Sequence, residues 1–270
     1  MQGEQEDRSA SCSPDSTPIF VSETRGKGVS ALVLLHGFGG SHYVWDGVCA
    51  HLDPSLDILA YDLPGHAVSL STPFEGAAPA FAKTLLADLA ARDLTSIHLV
   101  GHSLGGAVAI LMALREPRRF ASLTLLAPGG IGREINVPLL QRFATAASSI
   151  EIADALRAMA GPEFTPPVDA VRHCAEERAV PGQIETLQHL CGLITRDGEQ
   201  GAFAAAQLAS LAMPVQLVWG ESDPVLPVTQ ALNVPTSFGV HREPGLGHML
   251  PLEAPEGMAG HISRAISAHS

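Results

Sequence analysis

The sequence predicts an α/β fold, a mostly parallel β-sheet flanked by helices with a helical segment inserted after its middle. Three observations carry that prediction. Short apolar runs of strand length alternate with segments of helical periodicity, the pattern of a parallel sheet covered on both faces. Gly101-His102-Ser103-Leu104-Gly105 lies directly between the apolar run Ile97-His98-Leu99-Val100 and the helix-forming stretch Gly106–Leu114, which makes a strand, a sharp turn and a helix. From Pro128 to Met213 the strand rhythm stops and helical patterns take over.

Taken in order, strands are predicted near residues 19–23, 30–35, 56–61, 96–100, 121–127, 214–219 and 236–241. A helix near 79–92 gathers Phe81, Ala82, Leu85, Leu86 and Leu89 on one face. A second helix follows Ser103. The inserted segment reads as helices over 137–148, 150–160, 167–179, 182–195 and 200–211, punctuated by Pro138, Gly161-Pro162, Pro166-Pro167, Pro181-Gly182 and Gly198. Glu253-Ala254-Pro255-Glu256 opens a terminal helix. The resulting division is a disordered polar tail over 1–18, a core over 19–128 and 213–270, and a helical lid over 129–212.

At 270 residues the chain can bury a sizeable core, and 46% hydrophobic with 16% charged residues describes a globular composition. A formal net charge of -12 argues against nonspecific binding to nucleic acid or to an anionic membrane. No apolar stretch reaches the roughly 18 residues of a membrane span. Met1 to Pro18 carries acids and no apolar core, so it does not read as a secretory leader, and a cytoplasmic protein is expected. Cys12, Cys49, Cys174 and Cys191 form no Cys-x-x-Cys pair. His173-Cys174 and His189/Cys191 lack the closed spacing of a tetrahedral metal site, so no metal is expected. The phosphate-binding and dinucleotide-binding glycine patterns are missing as well, so no cofactor is expected. Nothing in the spacing specifies an oligomeric state.

The five residues around Ser103 have the form of a nucleophile elbow, in which glycines two before and two after the serine let strand and helix approach closely. Serine needs an adjacent base to attack a carbonyl carbon. Downstream, Val215–Gly220 delivers Glu221-Ser222-Asp223-Pro224 at the end of a strand, and Gly245-Leu246-Gly247-His248 places a histidine in a glycine-rich loop. Ser103, Asp223 and His248 are therefore the candidate nucleophile, acid and base. Asp62 and Glu221 compete with Asp223, and His36, His66 and His102 compete with His248. The backbone N–H groups of Phe38, in the loop His36-Gly37-Phe38-Gly39-Gly40, and of Leu104 are the candidate oxyanion donors. His36, His102 and Met249 are candidate pocket residues. Trp45 and Trp219 read as core or wall.

From about residue 19 to residue 268 the chain resembles an α/β-hydrolase-fold protein. The resemblance rests on His36-Gly37 and its loop, Asp62-Leu63-Pro64-Gly65-His66, the turn at Ser103, Trp219-Gly220 leading to Asp223, and Gly247-His248. It makes His36 structural and puts Asp62 in a structural turn, where its side chain is expected to bond local backbone; the lid is read from the length of the helical insertion, with an ungated helical layer as the alternative. Leu126-Ala127-Pro128-Gly129-Gly130-Ile131-Gly132 is similar to the corresponding segment of meta-cleavage-product hydrolases and of the hydrolase-like domain of acetoin dehydrogenase acyltransferases. His102 and Met249 depart from the former, which usually have asparagine and tryptophan there.

The reaction these residues imply is acyl transfer through an acyl-serine, with a small-molecule acyl substrate and carboxylic ester hydrolysis as the leading reading. Carbon–carbon bond hydrolysis and a non-enzymatic ligand-binding role are the alternatives. Arg133, Arg142, Arg157 and Arg172, all in the inserted segment, are candidate partners for a substrate carboxylate.

Overall fold

The protein is described from a computed structural model that covers residues 19–24, 31–92, 94 and 96–268. The tail expected over 1–18, and Cys12 with it, lies outside the described residues. In chain order the elements are β1 (Val21–Thr24), β2 (Ala31–Leu35), the single turn α1 (Asp46–Cys49), β3 (Asp57–Tyr61), α2 (Ala78–Ala91), β4 (Ile97–His102), α3 (Leu104–Arg115) and β5 (Phe120–Leu126). Five helices follow: α4 (Val137–Thr145), α5 (Ser149–Met159), α6 (Val168–Arg178), α7 (Gln183–Ile194) and α8 (Ala205–Ala209). The chain then returns through β6 (Val215–Gly220), β7 (Gly239–Glu243), α9 (Leu250–Glu253) and α10 (Pro255–Ser267).

The described strands form one sheet in the order β1-β3-β2-β4-β5-β6-β7. Only the β1–β3 pairing is antiparallel; the other five are parallel. The sequence shows why the centre is buried on both faces: all five residues of Ala-Leu-Val-Leu-Leu in β2 are buried, a continuous apolar run with no polar alternation. On the flank, α2 buries Phe81, Ala82, Leu85, Leu86 and Leu89, the face its periodicity defines.

From β2 the chain moves to β3 on one side and then to β4 on the other. That reversal opens a crevice beyond the carboxyl ends of β2 and β4, where open α/β sheets bind ligands. The loop after β2 carries Gly37 and Phe38, and the turn after β4 carries Ser103, so the topology alone brings them together.

Three elements differ from the sequence-based expectation by three or more residues at an end. The last strand is Gly239–Glu243 and not 236–241, because the Phe238 N–H closes a turn onto the Pro235 carbonyl at 3.0 Å. The helix expected over 137–148 ends at Thr145, since Ser148 begins α5 in a reciprocal cap with Glu151. The helix expected over 200–211 shrinks to Ala205–Ala209. Upstream of it the chain is pinned as a loop, by Gln200 N–H on the Arg133 carbonyl at 2.9 Å and Phe203 N–H on the Gly130 carbonyl at 2.8 Å. Within the inserted segment α4 packs on α5 and α7, and α5 on α6.

Candidate active site

Ser103 sits between β4 and α3 with φ 52° and ψ −117°, a backbone conformation that a side-chain-bearing residue adopts only under constraint and at a cost of about 1–3 kcal/mol. The constraint is visible. Ser103 N–H donates to the Leu126 carbonyl at 3.0 Å, while its own carbonyl accepts from Gly106 at 2.9 Å, Ala107 at 3.2 Å and Gly129 at 2.9 Å. A Cβ on Gly101 would lie 2.4 Å from the Gly105 carbonyl oxygen, and one on Gly105 would lie 2.3 Å from that of Leu35. The two glycines of the motif are thus needed for strand-to-helix contact, and the serine side chain is left as the group that projects into the crevice.

Its Oγ lies 2.9 Å from His248 Nε2, and His248 Nδ1 lies 2.8 Å from Asp223 Oδ2. A carboxylate only accepts, so Nδ1 carries the proton and the serine hydroxyl donates to Nε2. Asp223 is held at both oxygens. Oδ1 accepts the N–H groups of Val225 at 2.8 Å and Leu226 at 2.9 Å, and Oδ2 accepts Trp219 Nε1–H at 3.1 Å. The structure therefore brings together the three residues named from sequence, contributed by the ends of β4 and β6 and by the loop after β7.

The histidine loop is itself fastened. His248 N–H donates to the Met159 carbonyl at 2.9 Å, and His102 Nε2–H donates to the His248 carbonyl at 2.7 Å. Glu253 Oε2 accepts Gly247 N–H and Gly161 N–H, each at 2.8 Å. The end of α5 and the histidine loop are consequently one unit.

Gly37 presses the loop after β2 against the serine turn: a Cβ there would meet His102 Nδ1 at 2.8 Å and the Ser103 Cβ at 3.1 Å. Among the described residues neither the Phe38 nor the Leu104 N–H donates to a protein acceptor. Both residues line the same cavity as Ser103. The Phe38 ring meets Phe143 and His66 edge-on, with centroids 6.5 Å and 6.2 Å away.

The competing carboxylates are occupied elsewhere. Glu221 pairs with Arg242 at 3.0 Å on the surface. Asp62 is fully buried, and the local backbone bond expected for it, from Val68, is one of three that hold it. Oδ1 accepts the backbone N–H and the Nδ1–H of His42, at 2.8 Å and 2.9 Å, and Oδ2 accepts Val68 N–H at 3.2 Å. The partner lies twenty residues upstream, a pairing that only the sheet topology creates. His42 gains protons more readily for it: burial opposes the charge, and the Asp62 carboxylate outweighs it.

Of the candidate pocket residues, His102 and Met249 line a cavity beside Ser103 and His36 does not. His36 is fully buried, donates from Nδ1 to the Gly37 carbonyl at 2.7 Å and accepts the Leu63 N–H at Nε2, 2.9 Å away, which ties the loop after β2 to the one after β3. Burial lowers its pKa to about 4, and burial next to His248 lowers that of His102 to about 3. The cavity is about 380 Å³, with walls that include Phe38, Ala107, Leu140, Phe143, Leu156 and Phe203.

The four candidate arginines turn outward. Arg133 pairs with Glu199, Arg157 with Asp154, and Arg172 with Asp169 and Glu176, while Arg142 is exposed on α4. None lines the cavity. The arginine that comes nearest, Arg178 at the end of α6, was not singled out by the sequence. Its guanidinium donates to the Gly39 carbonyl at 3.1 Å and lies 5.2 Å from the centroid of the Phe143 ring. Trp219 as a donor to Asp223, and Glu253 as the fastener of Gly247, were missed as well. Among the described residues no group of three or more His, Cys, Asp or Glu side chains is placed to hold a metal. His173 instead stacks on Tyr43, with centroids 3.7 Å apart. No described helix is long and apolar enough to cross a membrane.

The model of the Alpha/beta hydrolase family matches residues 32–261. The chain is 34% identical over 238 residues to a dihydrolipoyllysine-residue acetyltransferase component of an acetoin cleaving system from Pseudomonas putida, covering 87% of this chain and 62% of that protein. The chain thus spans about six tenths of the length of that relative. It is 30% identical over 207 residues to a pimeloyl-[acyl-carrier protein] methyl ester esterase from Aeromonas hydrophila, covering 73% of this chain and 78% of that one. The fold superposes on a meta-cleavage product hydrolase from Pseudomonas fluorescens IP01 with a TM-score of 0.81 at 16% identity, over 94% of this chain and 97% of that one.

Proposed function

The chain belongs to the Alpha/beta hydrolase family, and from that premise we propose that it is a serine carboxylesterase, cleaving a small carboxylic ester through an acyl-serine intermediate, in the cytoplasm. The observation that carries the reading is the hydrogen-bonded chain Ser103–His248–Asp223 at the wall of an apolar cavity. The name of the Aeromonas hydrophila relative, an ester hydrolase, supports it.

In this mechanism Ser103 Oγ attacks the ester carbonyl carbon as His248 Nε2 takes its proton. Asp223 steadies the imidazolium through Nδ1–H and stays ionised. The carbonyl π electrons move onto oxygen, and the Phe38 and Leu104 N–H groups receive that oxyanion, each such donor contributing about 3 kcal/mol to the transition state. Collapse expels the alkoxide, which leaves as alcohol with the His248 proton. Water then repeats the sequence on the acyl-serine, with His248 as base, and releases the acid. The helices α4 to α8 act as a lid that walls the acyl cavity with Leu140, Phe143 and Leu156.

The test is release of p-nitrophenol from acetyl, butyryl and octanoyl esters, with Ser103→Ala alongside. Turnover that is lost in the alanine variant supports the reading. A folded wild type that cleaves none of the three refutes it.

A further inference from the structure

The cavity beside Ser103 has more than thirty lining residues, and no aspartate, glutamate, lysine or arginine is among them. Of its polar side chains, Gln200, Cys174 and His102 are already engaged or neutral. Gln200 accepts Gly130 N–H at Oε1 and donates to the Glu134 carbonyl at Nε2. Cys174 is a thiol whose pKa burial raises to about 12, and His102 spends its Nε2–H on the His248 carbonyl. His173 stacks on Tyr43, a side chain open to solvent, at the rim.

Arg178 touches the wall of this space, and its place is decisive. Phe143 lines the cavity and Arg178 does not; the guanidinium lies over the Phe143 ring and is bonded to Gly39, in the loop that carries the Phe38 N–H. Gly39 has φ +71°, and a Cβ there would lie 2.9 Å from the guanidinium nitrogen, so the loop and Arg178 are packed as one piece. Through Nη2 Arg178 holds the Gly39 carbonyl, and the Phe143 ring that it lies over forms part of the cavity wall.

Resting on the ester reading above, we propose that the site selects esters whose acyl group is neutral and apolar and rejects short acyl groups that end in a carboxylate, with Arg178 serving as a positioning residue for the Phe38 loop. A carboxylate carried into this cavity loses its water and finds no lysine or arginine in the walls to pair with.

The experiment compares methyl pentanoate, dimethyl glutarate and monomethyl glutarate, which share acyl length and differ in terminal charge. Hydrolysis is followed in the wild type, and calorimetry measures binding to Ser103→Ala. The two neutral esters should react comparably, and the monoester at least ~100-fold less well in kcat/KM, the scale set by an unpaired buried charge. Arg178→Met and Arg178→Lys should lower kcat on every ester in parallel, with the lysine retaining more, and leave the selectivity ratio intact. Equal handling of monoester and diester overturns the proposal, as does a loss in the Arg178 variants confined to the monoester. If the wild type cleaves none of them, binding decides: neutral esters held by Ser103→Ala and the monoester refused would keep the selectivity while the esterase reading falls. Failure of every ester to bind would overturn the proposal too.

Discussion

His102 Nε2–H donates to the backbone carbonyl of His248 across 2.7 Å, so the side chain adjoining Ser103 holds the main chain of the histidine that faces it. Burial beside His248 takes the His102 pKa to about 3, which keeps the ring neutral near pH 7, and the His248 carbonyl fixes its single proton on Nε2. Replacing His102 by leucine removes the donor and lets the base drift; kcat on p-nitrophenyl butyrate should fall by ~10- to 100-fold with KM little changed. Glutamine carries an N–H of similar reach and should retain most of the rate. Steady-state kinetics of the two variants check this, and equal losses in both contradict it.

Glu253 closes the other side of the same loop by accepting two backbone N–H groups at one oxygen. Alanine at this position strands both donors in a part-buried setting, at an expected cost of about 2–4 kcal/mol. Glutamine keeps a carbonyl oxygen there and should be close to wild type. Urea unfolding midpoints of Glu253→Ala and Glu253→Gln measure the difference. Because Gly247 precedes His248, the alanine variant should also lose activity below its unfolding range.

Two glycine-to-alanine changes should have opposite signs. In Gly105→Ala the new Cβ meets the Leu35 carbonyl oxygen at 2.3 Å, and backbone has to move, so a loss of at least about 3 kcal/mol and of the Ser103 conformation is expected. Gly192, exposed inside α7, has nothing within 4 Å of an added Cβ. There alanine restricts the unfolded chain and favours the helix, a gain of about 0.5–1 kcal/mol. Thermal melts of both variants decide the pair.

Stability should fall on acidification below neutral pH. Burial lowers His36 from 6.5 to about 4 and His102 to about 3, and it holds His66 well below its ordinary value. As pH drops through 6.5 the unfolded chain takes up protons the folded state refuses, and each such group removes up to about 1.4 kcal/mol per pH unit until its folded value is reached. Glu177 works the other way: burial lifts its carboxyl from 4.5 to about 7, so the folded state keeps a proton that the unfolded chain has released, and this share of stability is lost as pH rises through that window. Glu177→Gln removes the opposing contribution and should steepen the acid loss. Denaturant titrations across the window, wild type against variant, give the two slopes.

The elements that organise the site were legible because their signals are local. Gly101-His102-Ser103-Leu104-Gly105 encodes a close strand-to-helix approach in five residues, and an apolar run such as Ala31–Leu35 announces a strand buried on both faces. Ser148-x-x-Glu151 marks a helix start by its own chemistry, although the sequence reading ran the preceding helix up to it. The start of the expected 200–211 helix was not legible, since alanine-rich composition favours a helix there and only the bonds to Gly130 and Arg133 override it.

The sequence by itself determined the order of strands and helices, the strained turn at Ser103 and the kinds of residue delivered at strand ends, because backbone propensity and apolar periodicity act over a few residues. The tertiary structure alone decided which loop His36 braces, that Asp62 also serves His42, and that Arg133, Arg142, Arg157 and Arg172 face outward. It also decided that Arg178 and Glu253, unremarkable in sequence, hold the Phe38 and His248 loops. Those outcomes depend on which distant donors and acceptors the sheet order brings within 3 Å, and a side chain's identity states what it can bond to without stating what it will meet.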